Sequence, residues 1–182
     1  MMETGKMRKT SVALGVVATV VMMLGFGCAS QTIKGDELYK DQRGFRIGDK
    51  AKIPDSNKNR EVLDIVAQYQ KAVSSKDFGT LKRLIAQEYY DNGGTTDTTE
   101  DDYSGTKLPE LFEMMAKHAE EIKYDVTVKR VQYKHKRALV DYEYKYAYKY
   151  KVGDKPTWDA GVEVNRLELV PENGRWRIAS GL

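Results

Sequence analysis

The sequence predicts an α+β domain: three N-terminal helices packed on a four-stranded antiparallel meander that curves strongly around them. Three observations predict it. Apolar residues recur at helical spacing from Val62 to Ile122. From Tyr124 onward the period switches to two. Within two strands the apolar face then slips by one residue, at Lys129–Arg130 and between Val164 and Leu167, which reads as β-bulges and hence a curved sheet.

Helix one carries the stripe Val62, Ile65, Val66, Tyr69, Ala72 and Val73, with Ser56, Asn57 and Asn59 available to cap its start. Lys76 and Asp77 end it, and Asp77 caps helix two, whose stripe is Phe78, Leu81, Leu84, Ile85 and Tyr89. Gly93 and Gly94 break that helix ahead of a polar, acidic loop from Thr95 to Gly105. Thr106 is read as the cap of helix three, with Pro109 in the first turn and a stripe of Leu108, Leu111, Phe112, Met115, Ala119 and Ile122.

The strands follow by alternation. Tyr124, Val126 and Val128 share a face of the first, continued by Val131 and Tyr133 after the slip. His135 to Arg137 turn the chain. The second strand, Ala138 to Lys151, places Ala138, Val140, Tyr142, Tyr144, Tyr146, Tyr148 and Tyr150 on one face, with Asp141, Glu143, Lys145, Lys149 and Lys151 opposite. Gly153 to Pro156 turn into a third strand starting near Trp158, and Pro171–Gly174 is a tight turn into a last one with Trp176 and Ile178 on the core side.

Ahead of the helices lies a different kind of segment. Lys6, Arg8 and Lys9 precede an uncharged apolar run, Val12 to Gly27, which ends at Cys28, the single cysteine. Basic, apolar and small residues in that order are an export signal. The cluster Gly25, Phe26, Gly27, Cys28, Ala29, Ser30 resembles a lipobox, the motif of bacterial lipoproteins in which the thiol is acylated before cleavage in front of it. That resemblance implies lipidation of Cys28, a signal peptide over 1–27, and, because Ala29 rather than Asp follows, the periplasmic face of the outer membrane. A single-pass inner-membrane anchor is the alternative, since the run is only somewhat short of the roughly 20 residues a spanning helix needs. Residues 28–58, with Gly35, Gly44, Gly48, Pro54 and many charges, read as a flexible tether to a domain over 59–182.

Composition narrows the function. The formal net charge is +3, much of it in the signal, which excludes the strongly basic surface of a nucleic-acid binder. With one cysteine and two histidines, His118 and His135, neither a disulfide nor a thiol or histidine metal site is expected, and no cofactor is. The acidic loop residues Asp91, Asp97, Glu100, Asp101 and Asp102 lack the alternation and distal Glu of an EF-hand and read as solvated.

From Glu61 onward the order and lengths of the elements resemble the nuclear transport factor 2-like superfamily, which includes ketosteroid isomerase and the polyketide cyclases. The telling stretches are Val66-Ala67-Gln68-Tyr69, Lys76-Asp77-Phe78, Leu81, Leu84-Ile85 and the ending Gly174-Arg175-Trp176-Arg177-Ile178. The resemblance implies a cone-shaped pocket and pairing of copies through the outer sheet face. For the enzymes it implies a helix-one Tyr as oxyanion donor, matched by Tyr69. Their base would fall at about Gly93, with Asp91 two residues early, and their late-strand acid near Asn165 or Arg166.

Two functional classes follow. The leading expectation is a membrane-tethered, non-enzymatic binding or assembly module of the bacterial cell envelope, anchored by lipid at Cys28, whose partner is an envelope protein or a small apolar ligand. The alternative is an isomerase, dehydratase or cyclase-like enzyme using Tyr69 and Asp91. The tyrosine row Tyr142, Tyr144, Tyr146, Tyr148 and Tyr150 is read either as sheet packing or as an aromatic ligand or partner platform.

Overall fold

The computed structural model describes residues 44–93, 99–100 and 102–182. The elements are β1 (Arg46–Ile47), α1 (Asn57–Ser74), α2 (Phe78–Leu84), β2 (Tyr90–Asp91), β3 (Tyr103–Ser104), α3 (Leu108–His118), β4 (Ala119–Lys134), β5 (Arg137–Val152), β6 (Lys155–Glu172) and β7 (Arg175–Ser180). The helices cover one face of a sheet ordered β1-β4-β5-β6-β7, and β2 and β3 pair separately.

The sheet has five strands where the sequence predicts four. The extra strand, β1, runs parallel to β4, with Arg46 opposite Thr127 and Ile47 opposite Val128. It comes from the stretch read as tether. Phe45 and Ile53 are 2% and 0% exposed, and Gly48 N donates to Val128 O at 2.8 Å. Phe45 and Ile47, then Ala51 and Ile53, alternate only in pairs separated by glycine and charge, too short a run for alternation to mark a strand. The tether reading therefore fails for 44–58; residues 28–43 lie outside the described residues.

Local chemistry sets the helix ends. Ser56 caps α1 by accepting from Asn59 N at 3.2 Å, and Asp77 caps α2 by accepting from Thr80 N at 2.9 Å. Helix α3 has no side-chain cap: Thr106 hydrogen-bonds Ser104 Oγ at 2.7 Å instead, and Lys107 occupies the cap position ahead of Pro109. It also ends earlier than predicted, because Ala119 and Ile122 belong to β4, where Ile122 stands opposite Tyr148.

The long β4–β5 hairpin turns at His135 and Lys136, both with positive φ, and the β6–β7 hairpin turns at Asn173 and Gly174, the pair that such a turn favours. A register shift between Val128 and Arg130 is the bulge expected there. The second expected slip is absent: β6 pairs with β5 in continuous register, and its irregularity falls at Glu168/Leu169 on the β7 side. Leu167 and Leu169 face the core, whereas Val162 and Val164 point outward at 59% and 78% exposed. Apolar residues on both faces of one strand imitate a slip.

The core gathers α1, α2 and the concave face of β4–β7: Leu63, Val66, Leu81, Val128, Val140, Leu167 and Ile178 are all buried. On the convex face Asp141 bridges Arg130 at 2.6 Å and Arg166 at 2.6 Å, and Lys129 meets Glu143 at 3.0 Å. Burial raises the Asp141 carboxyl, but the two guanidinium hydrogen bonds outweigh it and hold the group below its ordinary value. Among the described residues no helix is long and apolar enough to cross a membrane.

Candidate functional site: a tyrosine-walled cone

Between the three helices and the concave sheet face lies a cavity of about 220 Å³. Each element contributes by its own periodicity. Tyr69 and Val73 project one turn apart from α1, Leu81 from α2, and Phe112 and Met115 from α3. Tyr124 comes from β4, Tyr142, Tyr144 and Tyr148 from alternate positions of β5, and Asn165 from β6; Leu182 closes one side. At roughly 30 Å³ per water, the space equals about seven waters, a volume suited to one substituted aromatic ring.

Its polar surface is phenolic. The Tyr69 and Tyr124 hydroxyls lie 3.2 Å apart, their rings edge to face at 5.8 Å. Gln70 Nε2 and Ser74 Oγ both donate to Tyr124 O, at 2.9 and 3.2 Å, and so fix α1 against β4 beneath that pair. Tyr142 donates to Gly181 O at 3.3 Å, as does Asn165 Nδ2 at 3.3 Å. Burial pushes the phenols of Tyr69 and Tyr124 well above their ordinary value, and takes Tyr142 to about 12 against the lowering effect of its phenol neighbours. All three are neutral hydrogen-bonding groups at physiological pH.

The tyrosine row lies on the concave face, half-buried from Tyr144 to Tyr150. Tyr142 is core. Tyr144 and Tyr148 line the cavity, and Tyr146 lies between them at centroid distances of 5.9 and 5.0 Å. Gly161, opposite Tyr146, makes room for it: a Cβ there would stand 2.8 Å from the Tyr146 hydroxyl. Tyr150 continues the row opposite Thr157 and is not a lining residue.

Asp91 is placed elsewhere. Its carboxylate accepts from Gly181 N at 2.6 Å, Tyr89 OH at 3.2 Å and Gly93 N at 3.0 Å, and it does not line the cavity. It therefore holds the segment after β7 in place. The structure does not bring Tyr69 and Asp91 together in the cavity. Asn165, one of the two late-strand positions, does line it, as an amide; Arg166 points to the convex face and Asp141. Cys28 lies outside the described residues.

Sequence reasoning missed Met115, Phe112 and Leu182 as cavity walls, since helix stripes do not distinguish a residue beside a void from one in solid core. It also passed over Glu163, which accepts from Tyr144 OH at 2.5 Å and Tyr146 OH at 3.3 Å. Its opposition to Tyr144 was available once β5 and β6 were aligned. Among the described residues no group of acidic, histidine or cysteine side chains is arranged to hold a metal.

No protein-family model matches the chain, and no curated protein matches it. Solved structures share its fold. The Kfla4162 protein from Kribbella flavida aligns at 15% identity and TM-score 0.57, covering 68% of this chain and 86% of that one. A nuclear transport factor 2-like superfamily protein from Salmonella enterica aligns at 11% identity and TM-score 0.55, over 67% and 86% of the two chains. A type 2 hexachlorocyclohexane dehydrochlorinase, LinA, aligns at 12% identity and TM-score 0.54, over 68% and 82%. The domain thus has the nuclear transport factor 2-like fold.

Proposed function

We propose that the domain is a non-enzymatic binding module that takes a small, mainly apolar ligand into its cone, on a chain tethered to the bacterial envelope by lipid on Cys28. The observation that carries the binding reading is the lining. No side chain among the lining residues is a carboxylate, imidazole or amine, and the buried phenols are held neutral. General acid–base catalysis needs a group whose proton is exchangeable near working pH, and this cavity offers hydrogen bonds without one. A ligand with an aromatic or aliphatic body would bury it against Val73, Leu81, Phe112 and Met115 and place one polar atom at the Tyr69–Tyr124 hydroxyl pair.

Filling the cavity tests this. Isothermal titration of the full chain with indole, a neutral single-ligand probe of the right size, is expected to give saturable binding. Met115→Trp, at a half-buried wall position, is expected to weaken it at least tenfold while leaving the thermal midpoint within a few degrees of wild type. Indole binding that the tryptophan leaves unchanged would place the site elsewhere.

The tether reading has support in the order Lys6, Arg8, Lys9, the apolar run and Cys28. Mass spectrometry of the mature N-terminus is expected to find acylated Cys28 as the first residue. Unmodified Cys28 inside an uncleaved chain would replace the lipid anchor with a membrane-spanning one.

A second reading is an enzyme. It is favoured by the fold shared with a dehydrochlorinase and by the Tyr69 hydroxyl inside the cone, in the place of an oxyanion donor. Its expected base is not in the cavity: Asp91 is spent on Gly181, Tyr89 and Gly93.

A further inference from the structure

The mouth of the cone carries two acidic side chains on the same concave face as the tyrosines. In register, Glu163 stands opposite Tyr144 and Asp159 opposite Tyr148, with Gly161 and Tyr146 between them. Both carboxylates are exposed, and among the described residues neither has a cationic partner. Further along the same strands the pattern differs: Asp141, Glu143 and Glu168 each meet an arginine or lysine. The β5 lysines opposite this stretch of β6, Lys145 and Lys149, pair with Val162 and Trp158 and so lie on the convex side, where Lys123 also sits over Trp158. Glu163 is held instead by phenol donors, Tyr144 and Tyr146, which orient a carboxylate without neutralising it. Tyr144, Tyr146 and Tyr148 form a half-buried ladder with centroid spacings of 5.9 and 5.0 Å. After burial, which is the larger cause, Asp159 and Glu163 raise the Tyr146 phenol and Tyr146, Glu163 and Asp159 the Tyr148 phenol, as an uncompensated negative field does.

The geometry points to a ligand that is an organic ammonium cation with an aromatic or apolar body: the body enters the cavity, and the cation stays at the mouth between Glu163, Asp159 and the tyrosine ladder. This rests on the cavity being a binding site and names the charge of what it takes. Carboxylates attract the cation over several ångströms, and aromatic rings add attraction of their own where the cation is partly desolvated. An anionic ligand of the same shape meets two unpaired negative charges at the entrance and is disfavoured.

Three probes with one ring system separate the effects: indole, its aminoethyl derivative tryptamine, and indole-3-acetate, each titrated into the full chain. Tryptamine is expected to bind about tenfold tighter than indole, and indole-3-acetate more weakly than indole. Raising the salt concentration is expected to shrink the tryptamine advantage, since both carboxylates are exposed. The double variant Glu163→Gln, Asp159→Asn keeps acceptors for the tyrosine hydroxyls. It is expected to bring tryptamine to the affinity of indole while leaving indole binding unchanged, which also reports an intact fold. Equal affinity for indole and tryptamine in the wild type, or a tryptamine advantage that survives the double variant, overturns the inference and leaves the binding reading standing. If none of the three probes binds, the binding reading itself is lost.

Discussion

Gly181→Ala is expected to cost about 2–4 kcal/mol of stability, an effect large for so small a change. Gly181 has φ of +91°, and a Cβ there would overlap the carbonyl oxygen of Arg166 and stand 2.8 Å from its carbonyl carbon. Those are backbone atoms of β6 and have nowhere to swing. The residue must therefore leave its place, and three interactions go with it. The Asp91 carboxylate loses the Gly181 N–H donor, and Tyr142 OH and Asn165 Nδ2 lose their shared acceptor, Gly181 O. A hydrogen bond to a charged group contributes about 1.5–3 kcal/mol, and a buried group left unpaired costs about 1–3 kcal/mol. Gly174→Ala is the control: its φ is +73° but nothing lies within 4 Å of its Cβ, so only the backbone cost of about 1–2 kcal/mol applies. Urea unfolding checks both, read as a midpoint shift at unchanged slope. Equal losses at the two glycines would show that the close approach to Arg166 does not exist.

The second large effect is Phe45→Ala, expected to destabilise the domain by about 3–5 kcal/mol, the usual range for removing a buried phenylalanine. Phe45 belongs to the same cluster as Val66, Val128 and Leu167, and β1 beside it extends the sheet. A tether residue would respond differently: substitutions away from packed features shift stability by only about 0.5 kcal/mol. The same urea experiment therefore decides where the domain begins. A loss of several kcal/mol places its start at or before Gly44. A negligible change would return residues 44–58 to the tether.

The helix starts were legible because the side-chain caps of α1 and α2, Ser56 and Asp77, have one structural meaning; α2 nevertheless ends at Leu84, so Ile85 and Tyr89 of its predicted stripe lie beyond the helix. The bulge at Val128/Arg130 was legible because every other residue of the strand faces the core, so a slip shows. The same logic misled at Val162 and Val164, which are apolar yet outward, since alternation records residue type and not the side on which solvent lies. Strand β1 was invisible for a simpler reason: two residues cannot display a period.

The site was half legible. That Tyr69 belongs to the apolar stripe of α1 and that the β5 tyrosines share one strand face was legible, because position parity and helix phase fix direction. Their convergence on one cavity depends on the curvature of the sheet and on the placement of α3, which are tertiary facts. Asp91 failed as a cavity residue because two positions of offset along the chain carry it to Gly181 and the segment after β7. Closeness in sequence to an expected catalytic position is no substitute for a side chain that reaches the cavity.

The central claim is that the cone between α1, α2, α3 and the concave sheet is where this protein binds a ligand. Methyl-resolved NMR during an indole titration tests it most directly, because cavity and surface methyls report separately. Val73, Leu81, Met115 and Leu182 line the cavity, while Val162 and Val164 lie on the convex face. Saturable shifts are expected in the first group alone, and Met115→Trp is expected to abolish them. Shifts at Val162 and Val164 with the cavity methyls unmoved would contradict it.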